Sequence, residues 1–170
     1  MAWEPERHFA WREGTALVDW QIESRGGKTV VRMVQSGFLG EADWEKESFD
    51  STSYAWKFML LSLRVALEQH RGAARQVAWP RVKTNLTREE TYRQLTSAGG
   101  IFEKGAESAL RAGQAYALRT ATGENWSGTV ELLEPPRGFC VSVREMNDAL
   151  VRMTIEGAPG KIEAQLRRSA

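Results

Sequence analysis

The chain has 170 residues, with 23 Lys plus Arg against 22 Asp plus Glu and a formal charge of +1. That balance leaves no electrostatic footprint for nucleic acid or an anionic membrane surface, and no apolar run approaches the roughly 18 residues of a membrane helix. A single cysteine, Cys140, rules out a disulfide within the chain and fits a reducing compartment; Met1 to Arg7 has no signal-peptide shape, so the expected location is cytoplasmic.

The length suits one domain with a substantial core, and the 42% apolar content is that of an ordinary globular protein. Seven tryptophans suit either a thick core or the wall of an apolar cavity.

In chain order, residues 7–12 read as a short strand closed by Gly14. Residues 15–23 put Ala16, Val18, Trp20 and Ile22 on one face, the period of a half-buried strand. Gly26-Gly27 makes a tight hairpin turn, and residues 29–36 return as a second strand ending at Ser36-Gly37. Residues 39–51 are polar and acidic and read as a loop anchored by Trp44 and Phe49.

One long helix is expected from Thr52 to His70, capped by Asp50, Ser51 or Thr52. Trp56, Leu60, Leu63 and Leu67 recur at helical spacing and form the expected buried row, beside a smaller row of Ala55, Met59, Ser62 and Ala66. On that basis a polar residue at Leu63 should be badly tolerated.

After a linker at 72–76, residues 77–84 read as a strand that Pro80 places at an edge or bulge. Asn85 or Thr87 opens a short helix with Glu89 and Glu90 in its first turn, stopped by Gly99-Gly100. A second short helix is expected over 106–111. The rest is a meander of strands at 115–120, 127–133, 138–146, 150–156 and 162–166. Its turns fall at 123–125, 135–138, 147–148 and 158–160.

Gly27-Lys28-Thr29, Gln35-Ser36-Gly37-Phe38, Tyr54-Ala55-Trp56, Leu60-Leu61-Ser62-Leu63 and Leu67-Glu68 occur in that order. Together they resemble the C-terminal half of an AHSA-like domain. This is the family of the activator of the heat-shock-protein-90 ATPase, within the SRPBCC (START-like) superfamily. Ala55 stands where a glycine often precedes the tryptophan. The resemblance covers residues 5–72; residues 77–170 resemble the first half of an SRPBCC domain in their order of elements.

It implies an α+β helix-grip fold, a curved antiparallel sheet gripping one long helix, with the elements in permuted order. Residues 1–170 then form a single composite domain, the 52–70 helix filling the groove of the downstream sheet. The competing arrangement is two tandem incomplete domains, whose uncovered faces would drive association.

The residues themselves carry little chemistry. His8 and His70 have no metal-ligand spacing and read as surface or capping groups. Cys140 reads as a buried strand residue. Gly99-Gly100, Gly105 and Gly113 lack the strand–turn–helix context of a nucleotide loop, and Glu89-Glu90 reads as a favourable helix start. No metal, cofactor or catalytic residue is expected.

The aromatic set is the most functional-looking group. With the resemblance, Trp20, Trp56, Leu60, Phe102, Tyr116, Trp126 and Phe139 are expected to line a ligand cavity between helix and sheet. Of Arg119, Arg144 and Arg152, an inward-turned one would anchor a polar ligand atom; Arg144 is taken as the site residue. The expected function is non-enzymatic binding of a small hydrophobic or aromatic molecule. A co-chaperone-like interaction module of the stress response, binding a chaperone or self-associating, is the alternative. A cyclase or aromatase of the polyketide type is third, and would need an inward acid or base.

Overall fold

The computed structural model describes residues 1–38, 40, 42–157 and 162–169. Its contacts divide the chain into two compact units, Met1–Phe49 and Asp50–Ala170.

The first unit is a four-stranded antiparallel sheet in chain order: β1 (Ala2–Glu4), β2 (His8–Glu13), β3 (Ala16–Arg25) and β4 (Lys28–Ser36). β1 is a strand that sequence reading did not find. Gly26 and Gly27 both adopt positive φ, 58° and 74°, as a two-residue hairpin requires. The register puts Phe9 and Met33 on either side of Trp20, Trp11 beside Val18, and Val31 beside Ile22, so one face is apolar. Trp3, Phe9 and Trp11 form a ring ladder along it, with centroids 5.5 and 5.2 Å apart. The opposite face is mixed, with Ala10, Leu17, Val30 and Val34 among its polar residues, and on it His8 Nε2 and Asp19 Oδ2 lie 2.9 Å apart. At the turn after β4, a Cβ on Gly37 would fall 2.2 Å from the Thr15 carbonyl oxygen, which accounts for the glycine.

α1 runs from Asp43 to Glu68 and crosses the division between the units. It begins nine residues before the expected Thr52, so residues 43–51 are helix, not loop. The first turn carries Asp43 and Glu45, whose charge suits the positive end of the helix dipole.

The second unit is a seven-stranded antiparallel sheet among the described residues. Its strands are β5 (Val77–Ala78), β6 (Arg81–Thr84), β7 (Ala115–Arg119), β8 (Asn125–Glu134), β9 (Gly138–Val143), β10 (Ala149–Glu156) and β11 (Ile162–Ser169). The spatial order is β5-β11-β10-β9-β8-β7, with β6 also paired to β11. The expected 77–84 strand is two pieces, broken at Trp79-Pro80, on the outer side of β11. The expected 138–146 strand ends at Val143; residues 144–146 form a 3₁₀ turn into Asn147 and Asp148, both at positive φ. The expected 106–111 helix is a single turn, in which Ala109 and Leu110 N–H both donate to the Ala106 carbonyl. The 158–160 turn lies outside the described residues.

The sheet is buried on both faces. Phe139, Val141, Val143, Val151, Met153 and Ile155 point to one side and meet α2 (Arg88–Thr96) through Tyr92 and Leu95, together with Phe102, Ala106 and Leu110. Cys140 and Leu150 point to the other side and meet Phe58, Leu61 and Val65 of α1. The expected α+β class and the long helix lying along an antiparallel sheet are therefore present. The short helix and the long one, however, cover opposite faces.

The packed row of α1 also differs from expectation. Tyr54, Phe58, Leu61 and Val65 are buried, whereas Leu63 and Leu67 are 41% and 54% exposed. The two rows are offset by two residues, about 200° around the helix, so they are opposite faces of a helix apolar on both sides. The correct row is distinguished by what flanks it. Lys57 pairs with Glu134, Arg64 with Glu131 at 3.2 Å, and Arg137 donates to Ser51 Oγ at 2.8 Å, framing the seam with ion pairs and a hydrogen bond.

This assignment gives a direct test. Leu61→Ala should cost about 2–5 kcal/mol of unfolding free energy by urea denaturation, while Leu63→Ala should cost less than about 1 kcal/mol. Equal losses at the two positions would contradict the packing row described here.

Candidate ligand-binding cleft

α2 is a short helix with a strong start. Thr87 Oγ1 accepts from the Glu90 amide at 3.2 Å, and the Glu90 carboxylate accepts from the Thr87 amide at 2.8 Å, closing a capping box. These hydrogen bonds hold the Glu90 carboxyl below its ordinary pKa. The helix ends at Thr96, and the chain turns back so that the Ile101 amide donates to the Leu95 carbonyl at 2.8 Å. Gly100 permits this approach, since a Cβ there would lie 2.4 Å from that carbonyl oxygen.

Between this helix–turn and the β6–β11 side of the sheet lies a cleft of about 760 Å³. Its apolar lining includes Val82, Leu95, Ile101, Met153 and Ala164. Thr84, Thr91, Gln94 and Ser97 supply hydroxyl and amide groups around it. Lys83 contributes to the wall, but it pairs with Glu163 in the register, on the strand face opposite Val82 and Thr84. The volume falls within the range of small-molecule sites.

The residues singled out from sequence lie elsewhere. Phe102, Tyr116, Trp126 and Phe139 pack together in the core and do not line this cleft. Phe102 sits edge-on to Trp126 at 5.9 Å and tilted against Phe139 at 6.2 Å, and Tyr116 Oη donates to the Ser142 carbonyl at 2.9 Å. Trp56 and Leu60 are half-buried on α1, off the row that packs on the sheet, and Trp20 is half-buried on β3 of the first unit. Under the end of α1 there is a cavity of about 60 Å³ lined by Val65, Ala66, His70 and Leu150. That is room for water, not for a drug-sized molecule.

Arg144 is exposed on the 3₁₀ turn, because β9 has already ended at Val143. The inward-turned arginine is Arg152. Its guanidinium lies over the Tyr54 and Phe58 rings, 4.6 and 4.9 Å from their centroids, and donates to Thr154 Oγ1 and Glu156 Oε1 at 3.3 and 3.2 Å. Thr154 and Glu156 belong to its own strand, and the two rings belong to α1, so Arg152 ties the strand to the helix and serves its packing.

Neither histidine joins a metal cluster among the described residues. Cys140 is fully buried between the sheet and α1, and burial pushes its thiol pKa well above the ordinary value. A thiol so placed is a poor nucleophile. The cleft was missed because its lining comes from β6, α2, the 97–101 turn, β10 and β11. Its larger apolar residues, Val82, Leu95, Ile101 and Met153, come from four different segments, and no single segment carries a motif.

No family model matches the chain, and no curated protein matches it. Among solved structures, the chain is similar to the Aha1 dimer of Colwellia psychrerythraea, with 13% identity over 55% of this chain and 75% of that one, at a TM-score of 0.41. It is also similar to BexL, the di-domain aromatase/cyclase of the BE-7585A biosynthetic pathway. That match has 12% identity over 95% of this chain and 60% of that one, at a TM-score of 0.38. Both overlaps are loose.

The Cys140 environment is testable without a ligand. A thiol-reactive chromogenic disulfide should leave the native protein unlabelled for hours and label one thiol per chain after denaturation in guanidinium. Prompt labelling of the folded protein would show that α1 leaves the sheet readily.

Proposed function

We propose that the protein binds a small, neutral, largely apolar molecule in the cleft between α2 and the β6–β11 side of the sheet, without transforming it. The observation that supports this reading is the cleft: about 760 Å³, with an apolar lining and hydroxyl and amide groups around it. Among the described residues that line it, Lys83 is the one ionisable side chain, and it belongs to the other strand face. A charged ligand would leave its charge unpaired there, at a cost of several kcal/mol if desolvated. A flat or aliphatic molecule with one hydroxyl or carbonyl is accommodated: the body rests on Leu95, Ile101 and Met153, and the polar atom reaches Gln94 or Thr84. Acid–base chemistry has no support from this lining, which is why the reading is binding, not cyclisation.

A protein-interaction role is the second reading. It is favoured by the exposed row of Met59, Leu63 and Leu67 along α1, a face of the kind that meets a partner. The aromatic contacts of the first unit do not distinguish the two.

Titration with a neutral solvatochromic dye tests the first reading. Val82 is 65% exposed, so Val82→Asp should fold normally. It should weaken dye binding by roughly tenfold or more, because a carboxylate would sit against the bound molecule. A Leu63→Asp variant, on α1, should bind the dye as the parent does. Dye affinity lost in Leu63→Asp and kept in Val82→Asp would instead move the apolar site to the exposed helix face.

A further inference from the structure

The sheet edges of this protein are not treated alike. β1 has three residues, β7 has five, and the β5–β6 side is broken by Trp79-Pro80 into pieces of two and four. Short strands and proline are the usual means of blunting an edge, since an open edge offers unpaired N–H and C=O groups to any other strand. β4 is the exception. It has nine residues, Lys28 to Ser36, with no proline. It pairs with β3 in unbroken register from Leu17 opposite Ser36 to Arg25 opposite Lys28, and it is the last strand of its sheet among the described residues. Between its ends the one charge is Arg32. Val30 and Val34 are 40% and 42% exposed, and the register puts them opposite Glu23 and Asp19.

We propose that β4 pairs edge to edge with β4 of a second copy of this chain, antiparallel about a two-fold axis, joining two four-stranded sheets into one. The sequence of the strand is self-complementary in this arrangement. Alternation puts residues 28, 30, 32, 34 and 36 on one face. An axis through Met33 sets Arg32 opposite the partner's Val34 and Val31 opposite the partner's Gln35. An axis through Val31 sets Arg32 opposite the partner's Val30. In both, the two Arg32 side chains avoid each other and each lies beside a valine that is otherwise exposed. The apolar face carrying Trp20, Ile22, Val31 and Met33 then continues across the seam. The occupant is a second copy because the same short strand supplies both halves of each pair, and such pairing closes at two chains.

The test uses the full chain in analytical ultracentrifugation. The unmodified protein should be a dimer in the low micromolar range. V30K/V34K puts lysine opposite the partner's Arg32 in either register, while within the chain the new lysines face Glu23 and Asp19, which favours the monomer fold. It should raise the dimer dissociation constant roughly tenfold or more. Adding R32E to that pair should restore the dimer, since a carboxylate at position 32 would then face lysine across the seam; within the chain it faces only Gln21. The proposal is overturned if the parent is monomeric at about 100 µM or forms a ladder of larger species. It is equally overturned if V30K/V34K leaves the dimer intact or if the triple variant stays monomeric. Circular dichroism confirms that each variant is folded before it is scored.

Discussion

The structure depends on the fact that β9 and β10 are apolar on both faces. Phe139, Cys140 and Val141 are consecutive and fully buried, and so are Leu150 and Val151, with at most 2% exposure. A strand of that kind cannot sit at the surface of a two-layer protein; it needs a cover on each side. The fold answers with α1 against Cys140 and Leu150, and with α2 and the 99–113 segment against Phe139, Val141 and Met153. Arg152 shows how strictly the first cover is fitted. A guanidinium on a buried strand position is held by two aromatic rings from α1 and by Glu156 beside it. Without the helix, that cation would lie on an apolar sheet, and the helix would lose the contact that fixes Tyr54 and Phe58.

The strand pattern was legible because it is local. Alternation in 15–23, the Gly26-Gly27 turn, the edge position that Pro80 gives its strand and the Thr87 cap each rest on chemistry within a few residues, and the structure keeps all of them. What was not legible was the choice between equivalent faces. Along α1, the 54/58/61/65 row and the 56/60/63/67 row both have helical spacing. Long-range partners distinguish them, among them Glu131 and Glu134 on β8, which lie 67 and 77 residues further along the chain than Arg64 and Lys57. The early start of α1 was hidden because Trp44 to Phe49 mixes acidic and aromatic residues without the clean period of the later turns. The same limit applies to the aromatics: the sequence identifies Phe102, Trp126 and Phe139 as large and flat, but not that they meet and fill the core instead of enclosing space.

The cleft follows from a mismatch of lengths. α2 has nine residues, about 14 Å of helix. A sheet whose strands are spaced by about 4.8 Å is roughly 19 Å wide between the axes of its outer strands over the five strands from β7 to β11. A helix that short cannot cover such a face, and the Phe102–Leu110 segment fills in over β8 and β9. The uncovered remainder is the β6–β11 side, where Val82 and Ala164 stand opposite each other in the register. Both ends of α2 are fixed by backbone geometry, the capping box at Thr87 and the close approach at Gly100. The cleft wall is therefore held by short-range hydrogen bonds and does not depend on an occupant to form it.

That independence separates two apolar features left exposed among the described residues of the second unit. The cleft is concave, has polar groups at its margin and is built on rigid elements, as a small-molecule site requires. The Met59, Leu63 and Leu67 row is convex, on the surface of a helix, and encloses nothing. A small molecule gains little by lying on a convex stripe, because only one side of it leaves water and apolar stabilisation scales with the area removed. A protein surface can cover such a stripe in full. The two features thus call for different kinds of ligand, and occupation of one leaves the other available, since they belong to opposite sides of the sheet.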